Sequence, residues 1–377
     1  MTGQAPASGA SRAARLIGYL EQDPGNLGLL ASAAQAAYEE GDLAAAATLL
    51  ARHVALEPLT PALRNLDGLV RLRSGRVDEA AEIFSALSAE SGGAPELRFN
   101  LAWCEALRGD FAAVDRLIDE TVAAAAPRAA ALKVEALHHL GRLEDGLAFG
   151  LGFAEQFVDD RDLAAAIALV ALDLEETDLA RQYAARADGA GEALSTLGVL
   201  ALGDGDADQA LAIFDRALGS RPGSPRALLG KGLALMQAGR TAEGTLLVEK
   251  GAETFGDHLG SWIAAGWGRF AQGDRAGARA VFEKALALDD GFAESHGALA
   301  VLDVLDGDLA SGERRTAVAL RLDRQCFSAA LARSLLLAAA GDESGAERVR
   351  TIALNTPIGP DGKTIADALV AIAPKRR

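Results

Sequence analysis

Apolar and small residues recur along the chain at the spacing of amphipathic helices. Residues 191–222 show the pattern twice: Leu194, Leu197 and Gly198, then, beyond Gly205, Ala210, Phe214 and Ala217. Residues three or four positions apart lie on one face of an α-helix, so each group predicts a helix with one apolar face. The stretch therefore predicts two helices joined by a turn at Gly205. Two such helices cannot bury their apolar faces alone, and stacking on neighbouring units supplies the missing core.

The turn signal is periodic. A Gly-Asp or Gly-Arg pair begins at Gly41, Gly75, Gly109, Gly141, Gly205, Gly239, Gly273, Gly307 and Gly341. Successive glycines are 34 residues apart, except for a gap of 32 after Gly109 and a gap of 64 after Gly141. The long gap splits into 34 and 30 residues if Glu175 occupies the missing turn position. The spacing thus predicts ten helix–turn–helix units.

The residues inside each unit resemble the tetratricopeptide-repeat family. When the turn glycine is numbered 15, the eighth unit has an aromatic residue at position 4, small residues at 8, 20 and 27 and Phe at 24: Trp262, Gly266, Ala278, Ala285 and Phe282. A 34-residue helix–turn–helix period is typical of this family. The resemblance implies an all-α fold, a right-handed α-solenoid of about ten stacked units with terminal capping helices.

The repeats predict a division of the chain into five parts. These are an N-terminal tail and capping helix (1–26), repeats 1 to 4 (27–160), a degenerate repeat 5 (161–190), repeats 6 to 10 (191–358), and a C-terminal capping helix with a basic tail (359–377). The capping helices are expected within 11–23 and 363–372, where apolar residues again follow helical spacing.

The middle of the array is expected to be its weakest part. The second helix of repeat 4 contains Gly146, Gly150 and Gly152, each of which costs about 1 kcal/mol relative to Ala in a helix. Repeat 5 is short and lacks the turn glycine. Because the stability of stacked repeats is a sum of local terms, residues 141–190 should exchange amide hydrogens faster than residues 191–340. Equal protection of the two ranges in a hydrogen-exchange experiment would contradict this prediction.

Composition and charge narrow the range of partners. The chain has 53 acidic and 37 basic residues, a net charge of −16. Such a chain repels nucleic-acid phosphates and anionic membranes unless its basic residues are segregated, so we expect neither as a partner. The first 25 residues do not resemble a signal peptide, and no apolar run is long enough to span a bilayer. We therefore expect a cytoplasmic protein. We also expect Cys104 and Cys326 to be buried thiols rather than a disulfide or a metal-binding pair.

Motifs for catalysis, cofactors and metals are not found. The sequence lacks a phosphate-binding G-x-x-x-x-G-K-[ST] loop, an H-E-x-x-H zinc motif and a G-x-S-x-G nucleophile elbow. Residues 204–208 resemble the start of a calcium loop, but Gln209 replaces the required glycine and the helix–turn–helix already explains the acidic residues. His138 and His139 have only Glu135 as a nearby further ligand. We expect no enzyme activity, cofactor or metal.

The resemblance also implies where a partner would bind. In this family, positions 2, 5, 9 and 12 of each first helix line the concave groove, and the candidates come from positions 5, 9 and 12. The candidate partner-binding residues at these positions are Asn65, Leu69, Leu72, Phe99, Trp103, Leu229, Leu233, Met236, Ile263, Trp267, Phe270 and Val301. Most are apolar, which a groove filled with water does not favour. Either the residues are part of a self-filled core, or the groove receives an apolar segment of a partner.

The sequence favours a protein that acts by binding. The function predicted is that of a non-catalytic scaffold, adaptor or chaperone that holds an apolar peptide or amphipathic helix of an unidentified client protein. The alternative is a self-associating structural scaffold whose apolar surface is buried in a homo-oligomer. The densest apolar pattern comes from repeats 7 and 8, so those repeats are the predicted centre of the groove.

Overall fold

The computed structural model describes residues 11–187 and 189–355. Every regular element in these residues is a helix, and none is a strand. The chain divides into two compact bodies, Met1–Leu163 and Ala164–Arg377. The all-α repeat fold expected from the sequence is thereby confirmed. The expected capping helix at 363–372 and the tails at both ends lie outside the described residues.

The N-terminal body begins with a short helix and continues with helix pairs. Its helices are α1 (Arg12–Tyr19), α2 (Leu27–Glu39), α3 (Leu43–Val54), α4 (Pro61–Arg73), α5 (Val77–Glu90), α6 (Pro95–Arg108), α7 (Phe111–Leu117), α8 (Glu120–Ala125), α9 (Pro127–His139) and α10 (Leu143–Ala154). The first helices of successive repeats, α2, α4, α6 and α9, contact one another in sequence. They therefore share one side of this body.

The remaining helices continue the same alternation. They are α11 (Arg161–Asp173), α12 (Thr177–Arg186), α13 (Gly191–Gly203), α14 (Ala207–Ser220), α15 (Pro225–Gln237), α16 (Thr241–Phe255), α17 (Leu259–Ala271), α18 (Arg275–Leu288), α19 (Ala293–Leu305), α20 (Leu309–Leu322), α21 (Phe327–Ala339) and α22 (Glu343–Leu354). In the C-terminal body the first helices again meet, α13 with α15, α17 with α19 and α19 with α21.

The turn inside each repeat is built as the period predicts. All nine turn glycines have φ between 70° and 88°, the left-handed region in which glycine is favoured. In repeat 1 the Gly41 amide donates to the Tyr38 carbonyl and the Asp42 amide to the Ala37 carbonyl, which satisfies the end of α2. Glu175 has φ 62°, the one non-glycine residue of the described chain with a positive φ. It occupies the turn position that the spacing assigned to it.

The residue after the glycine begins the second helix. Where this residue is aspartate, as at Asp42, Asp206 and Asp308, its carboxylate accepts a hydrogen bond from the amide three residues later. This is the usual N-terminal cap of a helix. Where it is arginine, as at Arg142 and Arg240, the guanidinium instead pairs with an acidic residue in the first turn of the same helix.

The conformation of Glu175 leads to a stability prediction. A left-handed residue other than glycine costs roughly 1–2 kcal/mol, so Glu175→Gly should raise the free energy of unfolding by about 1 kcal/mol. The neighbouring Glu176 caps α12 at φ −77° without a side-chain hydrogen bond, so Glu176→Gly is a matched control that should change little. Urea unfolding of both variants checks the prediction. A loss of stability in Glu175→Gly would contradict it.

Small residues allow the two helices of a repeat to approach closely. A Cβ atom added to Gly68 would lie 2.7 Å from the Phe84 ring, one added to Gly198 2.6 Å from the Phe214 ring, and one added to Gly266 2.2 Å from the Phe282 ring. All three phenyl rings are fully buried. The glycine at position 8 therefore holds the phenylalanine at position 24, and this contact repeats along the chain. It lies at the centre of the core in repeats 2, 6 and 8.

The third repeat departs from the pattern in a way that the sequence analysis did not anticipate. Its second helix is split into α7 and α8, because Ile118 and Asp119 adopt extended backbone conformations. The break frees the carbonyl of Asp115, and the buried Lys133 ammonium donates to it at 2.5 Å and also pairs with the Asp115 carboxylate. Asp119 then caps α8. In repeat 4, by contrast, α10 continues through all three of its glycines.

Candidate functional site

In the N-terminal body, the candidate residues lie on two neighbouring helices. Asn65, Leu69 and Leu72 are half-buried on α4, and Phe99 is half-buried on α6. Trp103, one turn after Phe99, keeps 38% of its surface exposed. The two rings meet edge to face with their centroids 6.1 Å apart. The structure thus brings these five side chains onto adjacent first helices, with Trp103 the most exposed.

In the C-terminal body, the candidate residues differ strongly in exposure. Leu229, Leu233 and Met236 on α15 and Trp267 and Phe270 on α17 are all half-buried. Ile263 on α17 is only 8% exposed, and Val301 on α19 only 1%. A side chain as enclosed as Val301 has no surface to offer a partner. We therefore assign Ile263 and Val301 to packing and do not include them in any proposed surface.

Trp267 is anchored by the surrounding core. Its ring lies edge-on to the Phe282 ring at 5.3 Å and to the Phe270 ring at 5.4 Å. It also packs against a cluster formed by Ala300, Val301 and Ala332 on α19 and α21. The indole is therefore held rigidly, with part of its surface in the core and part outside it. This arrangement can present an apolar surface without rearrangement of the helix.

Trp262 shows what a purely structural tryptophan looks like in the same helix. It is 4% exposed, and its indole N–H donates to the Gly256 carbonyl at 2.8 Å. The Lys284 ammonium lies 3.7 Å from the ring centroid, a cation–π contact. Trp262 belongs to the core between repeats, so it is a suitable control for Trp267.

Ion pairs that the sequence did not predict connect helices within repeats and between them. In the N-terminal body, Arg71 on α4 pairs with Asp67 of the same helix and with Glu79 on α5. In the C-terminal body, the buried Asp303 on α19 pairs with Arg279 at 2.8 Å and with Arg315 at 3.0 Å. Except for Arg71 and Asp67, which lie four residues apart on α4, the partners come from different helices, so no spacing along a single helix indicates these pairs. Most of these pairs are part of the repeat stack and carry no reactive group.

Groups capable of chemistry are sparse. The described residues contain no group of three His, Cys, Asp or Glu side chains placed to hold a metal ion. His139 stacks on Phe111 with ring centroids 4.0 Å apart, and burial, together with His138, lowers its pKa. Burial raises the pKa of Cys104 to about 11 and that of Cys326 to about 12, so neither thiol is a ready nucleophile. None of the described helices is both long and apolar enough to cross a bilayer.

The comparison with protein families follows the repeat pattern. The family model described as tetratricopeptide repeat matches residues 31–95, 66–113 and 195–250. These ranges cover repeats in both bodies, and their helix pairs have the turn and packing described above. The chain contains tetratricopeptide repeats. No curated protein matches the chain significantly in sequence.

Solved structures resemble this chain at low sequence identity. Human IFIT1, solved as a dimer with PPP-AAAA, is 13% identical with a TM-score of 0.53, and the match covers 92% of this chain and 93% of IFIT1. Pseudomonas aeruginosa pilF is 18% identical with a TM-score of 0.44, covering 53% of this chain and 93% of pilF. At such identities the likeness concerns the fold alone.

The tetratricopeptide repeats also contain one capping contact that crosses from repeat to repeat. Glu294 in the first turn of α19 accepts a hydrogen bond from the Phe327 amide at 2.8 Å and pairs with the Ser328 hydroxyl. These groups are at the start of α21, where backbone amides have no partner within the helix. Glu294 thereby fixes α21 against α19. This contact brings the inner sides of repeats 9 and 10 together and helps to enclose Val301.

Proposed function

We propose that the protein is a cytoplasmic, non-catalytic scaffold or adaptor, in the manner of a chaperone, that binds an apolar segment of a client protein. The binding surface is the inner side of α15 and α17 in the C-terminal body. Tetratricopeptide repeats generally serve as protein-interaction scaffolds, and this general role holds for the fold described here. The client's apolar segment, as a peptide or an amphipathic helix, is the specific part of the proposal.

One observation carries the proposal. Trp267 and Phe270 are half-buried, although the core has room for fully buried aromatic rings such as Phe282. The apolar surface continues on α15, where it consists of Leu229, Leu233 and Met236. Rigid aromatic rings beside a flexible methionine are typical of the central contacts of protein interfaces. Nucleic acid is a poor alternative ligand because the chain carries a net charge of −16.

The test compares two tryptophans of one helix. Trp267→Ala should weaken client binding by about 2 kcal/mol or more, as central interface residues do, with a small change in melting temperature. Trp262→Ala should lower the free energy of unfolding by about 3–5 kcal/mol, the usual result of truncating a buried aromatic side chain. Thermal melting and titration with the client identified by co-purification provide the two measurements.

Two results would overturn the proposal. If Trp267→Ala melts as early as Trp262→Ala and still binds its client, the surface is core and not a binding site. If instead light scattering shows a dimer that Trp267→Ala converts into a monomer, the apolar surface serves self-association. In that case the protein is a homo-oligomeric scaffold, the alternative that the sequence left open.

A further inference from the structure

The most exposed tryptophan of the described residues, Trp103, is outside the surface proposed above. On α6, Phe99, Trp103 and Leu107 follow one another at four-residue intervals and therefore lie on one face of the helix. We call these three residues the α6 stripe. Trp103 is 38% exposed and Leu107 57% exposed, and Phe99 supports the indole edge-on at 6.1 Å. The stripe extends about 12 Å along α6, about the length of two helical turns.

Charge distinguishes this surface from that of the C-terminal body. Residues 1–163 contain 24 acidic and 14 basic residues, a net charge of −10. Residues 164–377 form the longer body but contain 29 acidic and 23 basic residues, a net charge of −6. Most of the protein's negative charge thus belongs to the body that carries the α6 stripe. A partner of positive charge is attracted there first.

Carboxylates are also placed close to the stripe. Glu96 is exposed on α6, one turn before Phe99. Glu135 is exposed on α9, which contacts α6, and it occupies the same repeat position as Trp103. On the neighbouring α4, the Arg73 guanidinium lies over the Tyr38 ring at 4.9 Å and donates to the Tyr38 carbonyl.

We propose that the α6 stripe binds a basic amphipathic helix of a partner protein. The apolar side of this helix covers Trp103 and Leu107, and its lysine or arginine residues face Glu96 and Glu135. A helix fits because its apolar residues recur every three or four positions, which matches the spacing of the stripe. The inference rests on the proposed binding role, and it names a second surface and the chemistry of the ligand that the surface selects.

The experiment uses a defined probe. An 18-residue peptide with leucine at helical spacing and lysine at the other positions is titrated into the full-length protein and followed by fluorescence anisotropy. Trp103→Ala should weaken binding at least tenfold, as truncation of a central aromatic contact does. Leu107→Ser is a second variant that should also weaken binding. Because the Leu107 side chain is exposed, weaker binding by this variant does not arise from loss of folding. Leu246→Ala is the control: Leu246 is 66% exposed on α16, outside both proposed surfaces, and this variant should bind within about twofold of the unchanged protein.

A second peptide tests the sign of the charge. The same leucine pattern with glutamate in place of lysine should bind at least tenfold more weakly, because like charges oppose the association. Glu96→Gln combined with Glu135→Gln should reduce both the affinity for the lysine peptide and its dependence on salt. Equal binding of the two peptides would overturn the proposal, and so would unchanged binding by Trp103→Ala.

The outcomes also separate this inference from the proposed function. If Trp103→Ala abolishes peptide binding while Trp267→Ala affects neither peptide nor client, the α15 and α17 surface fails and the α6 stripe stands. If Trp267→Ala loses its client while Trp103→Ala still binds the peptide, the α6 stripe fails and the α15 and α17 surface stands. If light scattering shows that Trp103→Ala converts a dimer into a monomer, the stripe is covered by a second copy of the chain, and the proposal of a basic partner helix is wrong.

Discussion

Phe214→Ala should lower the free energy of unfolding by about 4 kcal/mol, near the upper range for truncation of a core phenylalanine. The ring is fully buried and lies between two glycines of different helices. A Cβ added to Gly198 on α13 would lie 2.6 Å from it, and a Cβ added to Gly230 on α15 2.2 Å from it. Because neither glycine has a side chain that could move into the space, the cavity left by the substitution cannot collapse easily.

Chemical denaturation of four variants, namely Phe214→Ala, a control, Gly198→Ala and the double mutant, checks this prediction. Leu246→Ala is the control, since Leu246 on α16 is 66% exposed and its truncation should change stability by less than about 0.5 kcal/mol. Gly198→Ala alone should destabilise the protein because the added methyl group collides with the ring. In the Phe214→Ala background the same methyl group partly fills the cavity, so it should recover stability. A purely additive double mutant would contradict the packing described here.

The fold was largely predictable from the sequence because the same sequence signals recur from repeat to repeat. A single turn glycine is a weak signal, but nine in register predicted the position of a tenth turn at Glu175, and its φ of 62° confirms that position. The contact between positions 8 and 24 was predictable for the same reason. The break of repeat 3 at Ile118 was not. It depends on Lys133, which comes from the next repeat and satisfies the carbonyl that the break exposes.

The candidate site was less predictable, because equal positions in the repeat have unequal surroundings. Trp103 and Val301 both occupy position 9, yet the first is 38% exposed and the second 1%. The difference arises from the distance between neighbouring first helices. At Gly297 on α19 an added Cβ would lie 2.6 Å from the Ala329 amide nitrogen of α21, so these two helices approach almost to backbone contact. This close contact between helices depends on residues of both repeats. The repeat position of a single residue therefore does not predict its exposure.

Asp303→Ala should lower the free energy of unfolding by about 2–3 kcal/mol. The Asp303 side chain is 7% exposed and faces Arg279 at 2.8 Å and Arg315 at 3.0 Å. Removal of the carboxylate takes one anionic partner from each guanidinium group, although Arg279 keeps its pair with the more exposed Asp306. A completely buried pair would lose about 3–5 kcal/mol, but both arginines are about one-third exposed and regain part of their hydration.

Two further variants show whether the loss comes from unpaired charge. Asp306 also pairs with Arg279, at 3.0 Å, but its side chain is 43% exposed, so Asp306→Ala should lose less than about 1 kcal/mol. Replacing the network as a whole, with Asp303→Leu, Arg279→Met and Arg315→Met in one chain, should restore most of the stability, since apolar side chains of similar size can substitute for a buried ion pair. If the triple variant is no more stable than Asp303→Ala, the aspartate stabilises the helices by some other contact, and the unpaired arginines are not the cause of the loss.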